Sequence, residues 1–388
     1  MKLPDCMGRL GTETAFEVLA RAKALEAQGK SIVHLQIGEP DFDTPKNVIE
    51  AGVKALREGQ THYGPAAGLP ALREAIASYV NRTRGCKVAP EQVLVTPGGK
   101  PIMFYAILAL LQQGDEAVYP NPGFPIYESM IKFAGAKAVA APLRYENDFR
   151  MDMKEVGKLV NDKTRLLIVN SPGNPCGNTV TLEDVQFLVA LLAEHQNLYL
   201  LTDEIYSRIL YEGKHFSPLT LGEHTDRIIL LDGFSKAYAM TGWRLGYGVM
   251  HKDLCVACTR LQINVNSCTA SFTQHAGVEA LNGPQDTVTA MVSEFRRRRD
   301  FLVAGLNKVR GFRCKLPGGA FYVLPEIKGT GKTSRQVQDM LLDEAGVAAL
   351  SGTAFGAHGE GYLRFSYANS MEKLQDALTR IERVFGRA

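Results

Sequence analysis

No long hydrophobic run occurs in this sequence of 388 residues. The longest, Ile102 to Leu111, falls far short of the roughly 20 apolar residues that span a bilayer, so no membrane-spanning helix is expected. Neither sign of charge predominates. With 44 Lys and Arg against 41 Asp and Glu, the net charge of +3 is too balanced for a nucleic-acid-binding surface. Cysteine is sparse and odd in number: seven residues, at 6, 86, 176, 255, 258, 268 and 314, lack the pattern of a secreted disulfide framework and read as reduced thiols. Cys255 and Cys258 lie close together in a helical pattern, without a second pair or metal-spaced histidines, so they read as buried helix cysteines and no metal site is expected. Met1-Lys2-Leu3-Pro4-Asp5-Cys6 carries no apolar leader, and a cytoplasmic protein is the expectation. No internal repeat or low-complexity segment is apparent.

What is present is an ordinary globular balance, 45% hydrophobic and 22% charged residues, in a chain long enough for two domains. Apolar strand-like runs at Gln92 to Thr96, Glu116 to Tyr119, Arg165 to Val169, Leu198 to Thr202 and Arg227 to Leu231 alternate with helical patterns after Gly99, after Thr181 and around Leu254. That alternation predicts an α/β fold, with a mostly parallel sheet flanked by helices. After about Leu281 the texture changes to a charged helix, Glu294-Phe-Arg296-Arg297-Arg298-Arg299-Asp300, then Pro317-Gly-Gly-Ala-Phe-Tyr-Val, a strand near Leu363 to Tyr367 and a last amphipathic helix. We read a smaller α+β domain over 286–388, a large domain over 46–285, and an N-terminal segment, 1–45, that packs with the small one. The four arginines read as a solvated helix face.

In open parallel sheets ligands bind beyond the carboxyl ends of the strands. Residues at those ends form a set. Thr96-Pro97-Gly98-Gly99-Lys100 joins a strand to a helix and offers backbone amides for a phosphate, although alone it is also an ordinary turn. Asn170-Ser-Pro-Gly-Asn174-Pro follows the third strand. Asp203-Glu-Ile-Tyr206 follows the fourth, where an Asp can equally be a helix cap. Ser235-Lys236 follows the fifth, with Arg244 eight residues beyond. A lysine there is partly desolvated, which lowers its pKa and favours the nucleophilic amine. A lysine for an aldehyde, a carboxylate for a ring nitrogen, and amides with a hydroxyl and a cation for a phosphate together meet the needs of pyridoxal phosphate chemistry.

Gly38-Glu-Pro-Asp-Phe-Asp-Thr-Pro45, His62-Tyr63-Gly, Gly98-Gly-Lys100, Asn170-Ser-Pro-Gly-Asn174-Pro, Asp203-Glu-Ile-Tyr206, Ser235-Lys236-Ala and Tyr362-Leu-Arg364-Phe-Ser-Tyr occur in this order. On these motifs the chain resembles, over essentially its full length, the class I aminotransferases, fold type I pyridoxal-phosphate enzymes of the aspartate aminotransferase family. The resemblance implies pyridoxal 5'-phosphate as cofactor, an amino acid and a 2-oxo acid as substrates, and a homodimer with shared active sites. It makes Lys236 the Schiff-base lysine and proton shuttle, Asp203 the partner of the pyridinium nitrogen, and Tyr206 with Asn174 the partners of the ring's 3-hydroxyl oxygen. Arg244, Ser235 and the backbone at Gly98, Gly99 and Lys100 would hold the phosphate. Phe124 would stack on the ring, and Tyr63 would reach the neighbouring subunit's phosphate. Arg364 would clamp the substrate α-carboxylate in a bidentate fork, with Asn174 beside it and a backbone contact from Gly38.

The chain departs from the family's Asn-Asn-Pro-Thr-Gly, reading Gly173-Asn174-Pro175-Cys176-Gly177, and Gly233 replaces a frequent serine. Lys100 stands where a subgroup of prokaryotic aspartate aminotransferases meets a distal carboxylate, yet Glu13-Thr14-Ala15-Phe16-Glu17 lacks the small hydroxyl pattern of those enzymes. Preference for acidic substrates stays open. So does reaction type, because lyases on this fold share the cofactor set. A ligand-sensing regulator would carry a DNA-binding domain before the Gly38 loop, where only some thirty residues stand. Lys328-Gly-Thr-Gly331-Lys332-Thr333 imitates a P-loop but fails on spacing at Glu326, and Thr333 with Gln336 reads as a capping box.

Overall fold

Val-, Ile- and Leu-rich runs become the strands of a seven-stranded sheet in the computed structural model, which describes residues 3–388. After β1 (Val33–His34) come β2 (Val93–Thr96), β3 (Glu116–Asn121), β4 (Lys137–Pro142), β5 (Thr164–Asn170), β6 (Tyr199–Asp203), β7 (Ile228–Gly233) and β8 (Gly246–Val249). The large sheet runs β2-β8-β7-β6-β5-β3-β4, and β8 alone is antiparallel to its neighbours. All five expected strands are there with ends moved by a residue or two. Two more were not foreseen. β4 is an alanine-rich edge strand and β8 reads Gly-Tyr-Gly-Val, both poor in the β-branched residues that signal a strand.

Alternate strand residues face opposite sides. Leu167 and Val169 join a core that includes helices Pro70–Arg84 and Leu182–Glu194; Leu166 and Ile168 join another with helices Lys100–Leu110, Ile126–Phe133 and Lys252–Asn266. Burial of both faces explains why the strands read as continuous apolar runs. Cys255 and Cys258 are buried on the second face.

Beyond the sheet, β9 (Tyr322–Val323), β10 (Val347–Ala348), β11 (Leu350–Ser351) and β12 (Leu363–Ser366) form two small sheets. β12 lies antiparallel between β11 and β9, while β10 pairs in parallel with β1, tying the N-terminal segment to the C-terminal part of the chain. A separate apolar cluster fills the space between these strands and helices Asp286–Leu306 and Met371–Phe385. The capping box is present: Gln336 N donates to Thr333 Oγ1 at 3.3 Å and Thr333 N to Gln336 Oε1 at 2.9 Å.

The arginine run departs from the solvated-face reading. Arg298 is buried, donating to Asp41 and Glu294, and Arg299 is 1% exposed, pairing with Glu212 and lying 4.6 Å from the Tyr211 ring centre. Successive helical residues turn by roughly 100°, so four in a row sweep the whole circumference and two of them must point inward. Among the described residues no helix is long and apolar enough to cross a membrane.

Candidate active site

Six strands of the large sheet run in one direction, so their carboxyl ends share one edge, where the antiparallel β8 begins. This edge collects the chemistry. Gly98 to Lys100 follow β2, Phe124 follows β3, Asn174 follows β5, Asp203 ends β6, Ser235 and Lys236 follow β7, and Arg244 stands just before β8. Together with Gly38, Tyr206 and Arg364 they line a cavity of about 400 Å³, except Gly98, which lies beneath the Arg244 guanidinium. Tyr63 is 90% exposed and does not line this cavity.

The Lys236 ammonium donates to the Gly38 carbonyl at 2.6 Å and lies 5.9 and 5.7 Å from the ring centres of Tyr206 and Phe321. Burial lowers its pKa to about 8, with Arg364 and Arg244 adding to the drop and Glu39 opposing it. Asp203 is moved the other way. Burial raises its carboxyl to about 6, although the Tyr127 hydroxyl donates to it at 2.6 Å and the Ile205 amide at 3.2 Å. Asn170 fixes the turn beyond β5: its side chain donates to the Asp203 carbonyl at 3.0 Å and accepts from the Asn174 amide at 2.8 Å.

At the other side of the cavity Arg364 is 4% exposed and has no carboxylate partner among the described residues. Its guanidinium donates to Asn174 Oδ1 at 3.0 Å and to the Gln36 carbonyl, packs 4.5 Å from the Tyr322 ring centre, and leaves Nε without an acceptor. Burial without a counter-ion lowers its pKa. Such an arginine is a receptor for a carboxylate. Tyr322 also holds Tyr206, hydroxyl to hydroxyl at 2.8 Å, and a Cβ on Gly38 would strike it.

Arg244, at φ 53°, donates to the carbonyls of Thr241 at 2.9 Å and Pro97 at 3.3 Å and has no carboxylate partner among the described residues. Gly98, at φ 92°, leaves the guanidinium room that a Cβ would fill, and Gly246 lets the Gly98–Gly99 backbone approach the start of β8. Among the described residues the Gly99 and Lys100 amides find no acceptor in the chain, so an open helix N-terminus faces an unpaired guanidinium. That is an anion cradle. Lys100 itself is ion-paired with Glu13 and lies 5.4 Å from the Phe124 ring centre, while Phe124 packs edge-to-face on Tyr127.

Sequence reasoning missed Tyr127, Tyr322 and Gln36 as supporting groups. Tyr127 sits in a helix whose pattern marks it as core, and Tyr322 is one of the two buried residues of β9, like any core strand residue. Only their distant partners show their roles.

A family model described as aminotransferase class I and II matches residues 30–381. An aspartate aminotransferase of Pyrococcus horikoshii is 42% identical over 370 residues, covering 95% of this chain and 93% of the relative. An aspartate/prephenate aminotransferase of Thermus thermophilus is 42% identical over 378 residues, 96% of each. A solved structure of Thermus thermophilus aspartate aminotransferase with maleate superposes with a TM-score of 0.94 at 38% identity, over 99% of this chain and 100% of that one.

Proposed function

The chain belongs to the class I and II aminotransferase family and transfers an amino group between an L-amino acid and a 2-oxo acid; from that premise we propose that the Lys236 cavity does so with pyridoxal 5'-phosphate, with glutamate and 2-oxoglutarate as one substrate pair. The observation that carries this is the juxtaposition of an amine of lowered pKa, a buried carboxylate, an anion cradle and a buried arginine without a counter-ion in one cavity. The residues fit the cofactor. When bound, pyridoxal phosphate supplies an electrophilic aldehyde and a ring that accepts electrons from the substrate α-carbon.

Lys236 would bond the aldehyde and, once released, move the proton at the substrate α-carbon, a task for which an amine titrating near 8 is well matched. Asp203 would hold a protonated ring nitrogen, whose charge favours the ionised carboxylate that burial alone disfavours. Tyr206 and Asn174 would donate to the ring oxygen. The Gly99 and Lys100 amides, Ser235 and Arg244 would hold the phosphate across Gly98, and Phe124 would cover the ring. Arg364, with Asn174 and the Gly38 backbone, would orient the substrate α-carboxylate.

The exposed Tyr63 supports a homodimer in which this side chain completes the partner's phosphate site. Free cysteines throughout support a cytoplasmic protein. We divide the chain as 1–45, 46–285 and 286–388, the first packing with the last through the β1–β10 pair. The test is Lys236→Ala in protein shown by its thermal transition to be folded. It should abolish both amine transfer to 2-oxoglutarate and the borohydride-trapped cofactor adduct; an intact adduct would remove Lys236 from its role.

A further inference from the structure

We propose that Glu13 determines substrate specificity as an internal counter-ion: it occupies Lys100 when the bound substrate has an uncharged side chain and yields that lysine to a second carboxylate when the substrate is acidic. The inference rests on the reading in which Arg364 holds the substrate α-carboxylate.

Four cations, Lys100, Lys236, Arg244 and Arg364, line the cavity. Among the described residues only Lys100 of these four is ion-paired, and its partner Glu13 comes from the turn preceding helix Ala15–Ala27. The remaining cations have assigned ligands in the cofactor and the α-carboxylate, so Lys100 is the one left for a side chain. Its ammonium lies beside Phe124, and Phe16, Tyr322 and Phe355 add further apolar wall. An uncharged side chain that packs against these rings also covers part of Lys100 from water, and the lysine then needs another compensation. Glu13 supplies the compensation. A dicarboxylate brings its own, and then the Glu13 carboxylate becomes a like charge that must leave.

The pair is built to yield. Its side chains are 48% and 22% exposed, and ion pairs of that kind are weak and exchange readily with solvent. Thr14 provides no side-chain cap for the adjoining helix, so the Glu13 turn is held chiefly by backbone bonds from Phe16 to Glu13 and Val18 to Thr14. Glu13 is also close enough to act electrostatically on Arg364 and Lys236, which places its charge inside the cavity rather than outside it.

The test titrates the holoenzyme calorimetrically with two carboxylates that carry no amine, succinate and 3-phenylpropionate, in the natural protein, Glu13→Gln, Lys100→Gln and the double variant. Glu13→Gln should raise the affinity for succinate relative to 3-phenylpropionate by up to about fivefold, since it removes the competing carboxylate while leaving Lys100. In the Lys100→Gln background the same change should shift that ratio by less than about twofold, because the two residues act as a pair. A ratio unmoved by Glu13→Gln, or a Glu13 effect that persists without Lys100, would overturn the proposal. Amine transfer from aspartate and from phenylalanine, followed in the same preparations, separates the two levels: a natural protein that transfers from neither sinks the reading of the cavity, while an unmoved ratio in a protein that does transfer sinks the role of Glu13 alone.

Discussion

Asp203 and Glu204 are neighbours at the end of β6, both buried, yet their carboxyl groups are driven in opposite directions. Burial pushes both up. On Glu204 that push is overcome by His215 and Arg84, which bring it down to about 2; on Asp203 no cation answers and the value stays at about 6. The two residues look to opposite sides. Glu204 accepts from Arg84 at 3.1 Å, His215 at 2.8 Å and the Thr202 hydroxyl at 3.0 Å, and Arg84 goes on to Asp232 at 2.8 Å and Ser207 at 2.9 Å. Behind the strand ends Glu204 and Arg84 are satisfied by the chain itself. In front of them Asp203, Lys236 and Arg364 are each left short of an opposite charge, and that shortage is what a cofactor and substrate would relieve.

The comparison breaks most visibly at Arg84. Removing one member of a buried, hydrogen-bonded charge cluster leaves the others uncompensated, so Arg84→Ala should cost about 3–5 kcal/mol of stability. The urea midpoint at neutral pH measures it. A loss below about 1 kcal/mol would mean that the rear cluster is no better satisfied than the front.

Asp203→Asn should act in the opposite direction. The folded carboxyl titrates near 6 against an ordinary 3.8, so this group costs nothing at pH values below about 4 and lowers stability progressively as pH rises through 6. Above that window the cofactor-free Asn variant should therefore be more stable by about 2–3 kcal/mol, an advantage that disappears below pH 4. It should also lose affinity for pyridoxal phosphate, since an amide gives a protonated ring nitrogen no charge. Glu204 has the other sign: its contribution is full above the ordinary 4.5 and is lost only as pH falls toward 2. A destabilised Asn variant at pH 8 would show that Asp203 is already compensated without a ligand.

The same contrast governs how much of the molecule is legible in the sequence. Strands buried on both faces announce themselves as apolar runs, and the residues after each carboxyl end can be read from the chain order, so Asp203, Lys236, Asn174 and the Gly98–Lys100 turn stand out. The rear cluster does not. Arg84 and Glu204 are 120 residues apart, and only the folded sheet decides that they meet; in the front cavity the same holds for Tyr206 and Tyr322, 116 apart. Arg244 is legible as a cation but not as a residue placed just before a strand, because two glycines hide β8. Glu13 shows only as part of a segment that lacks the small hydroxyl pattern, without any sign in the sequence that it would find Lys100.

The smallest expected effect sharpens the front of the comparison at Lys236. With its pKa near 8 rather than 10.5, this lysine has roughly 300 times the neutral fraction of an exposed lysine at pH 7, since each unit is a factor of ten. In cofactor-free protein the rate of pyridoxal phosphate attachment should climb about tenfold per pH unit and level off with a midpoint near 8. The causes can be separated. Burial is the largest and should survive single charge changes, so Glu39→Gln should move the midpoint down and Arg364→Met should move it up, each by less than about one unit. A midpoint near 10.5 in the natural protein would mean that water reaches the amine freely, and the front of the sheet would then owe its reactivity to the cofactor rather than to an environment prepared before the cofactor arrives.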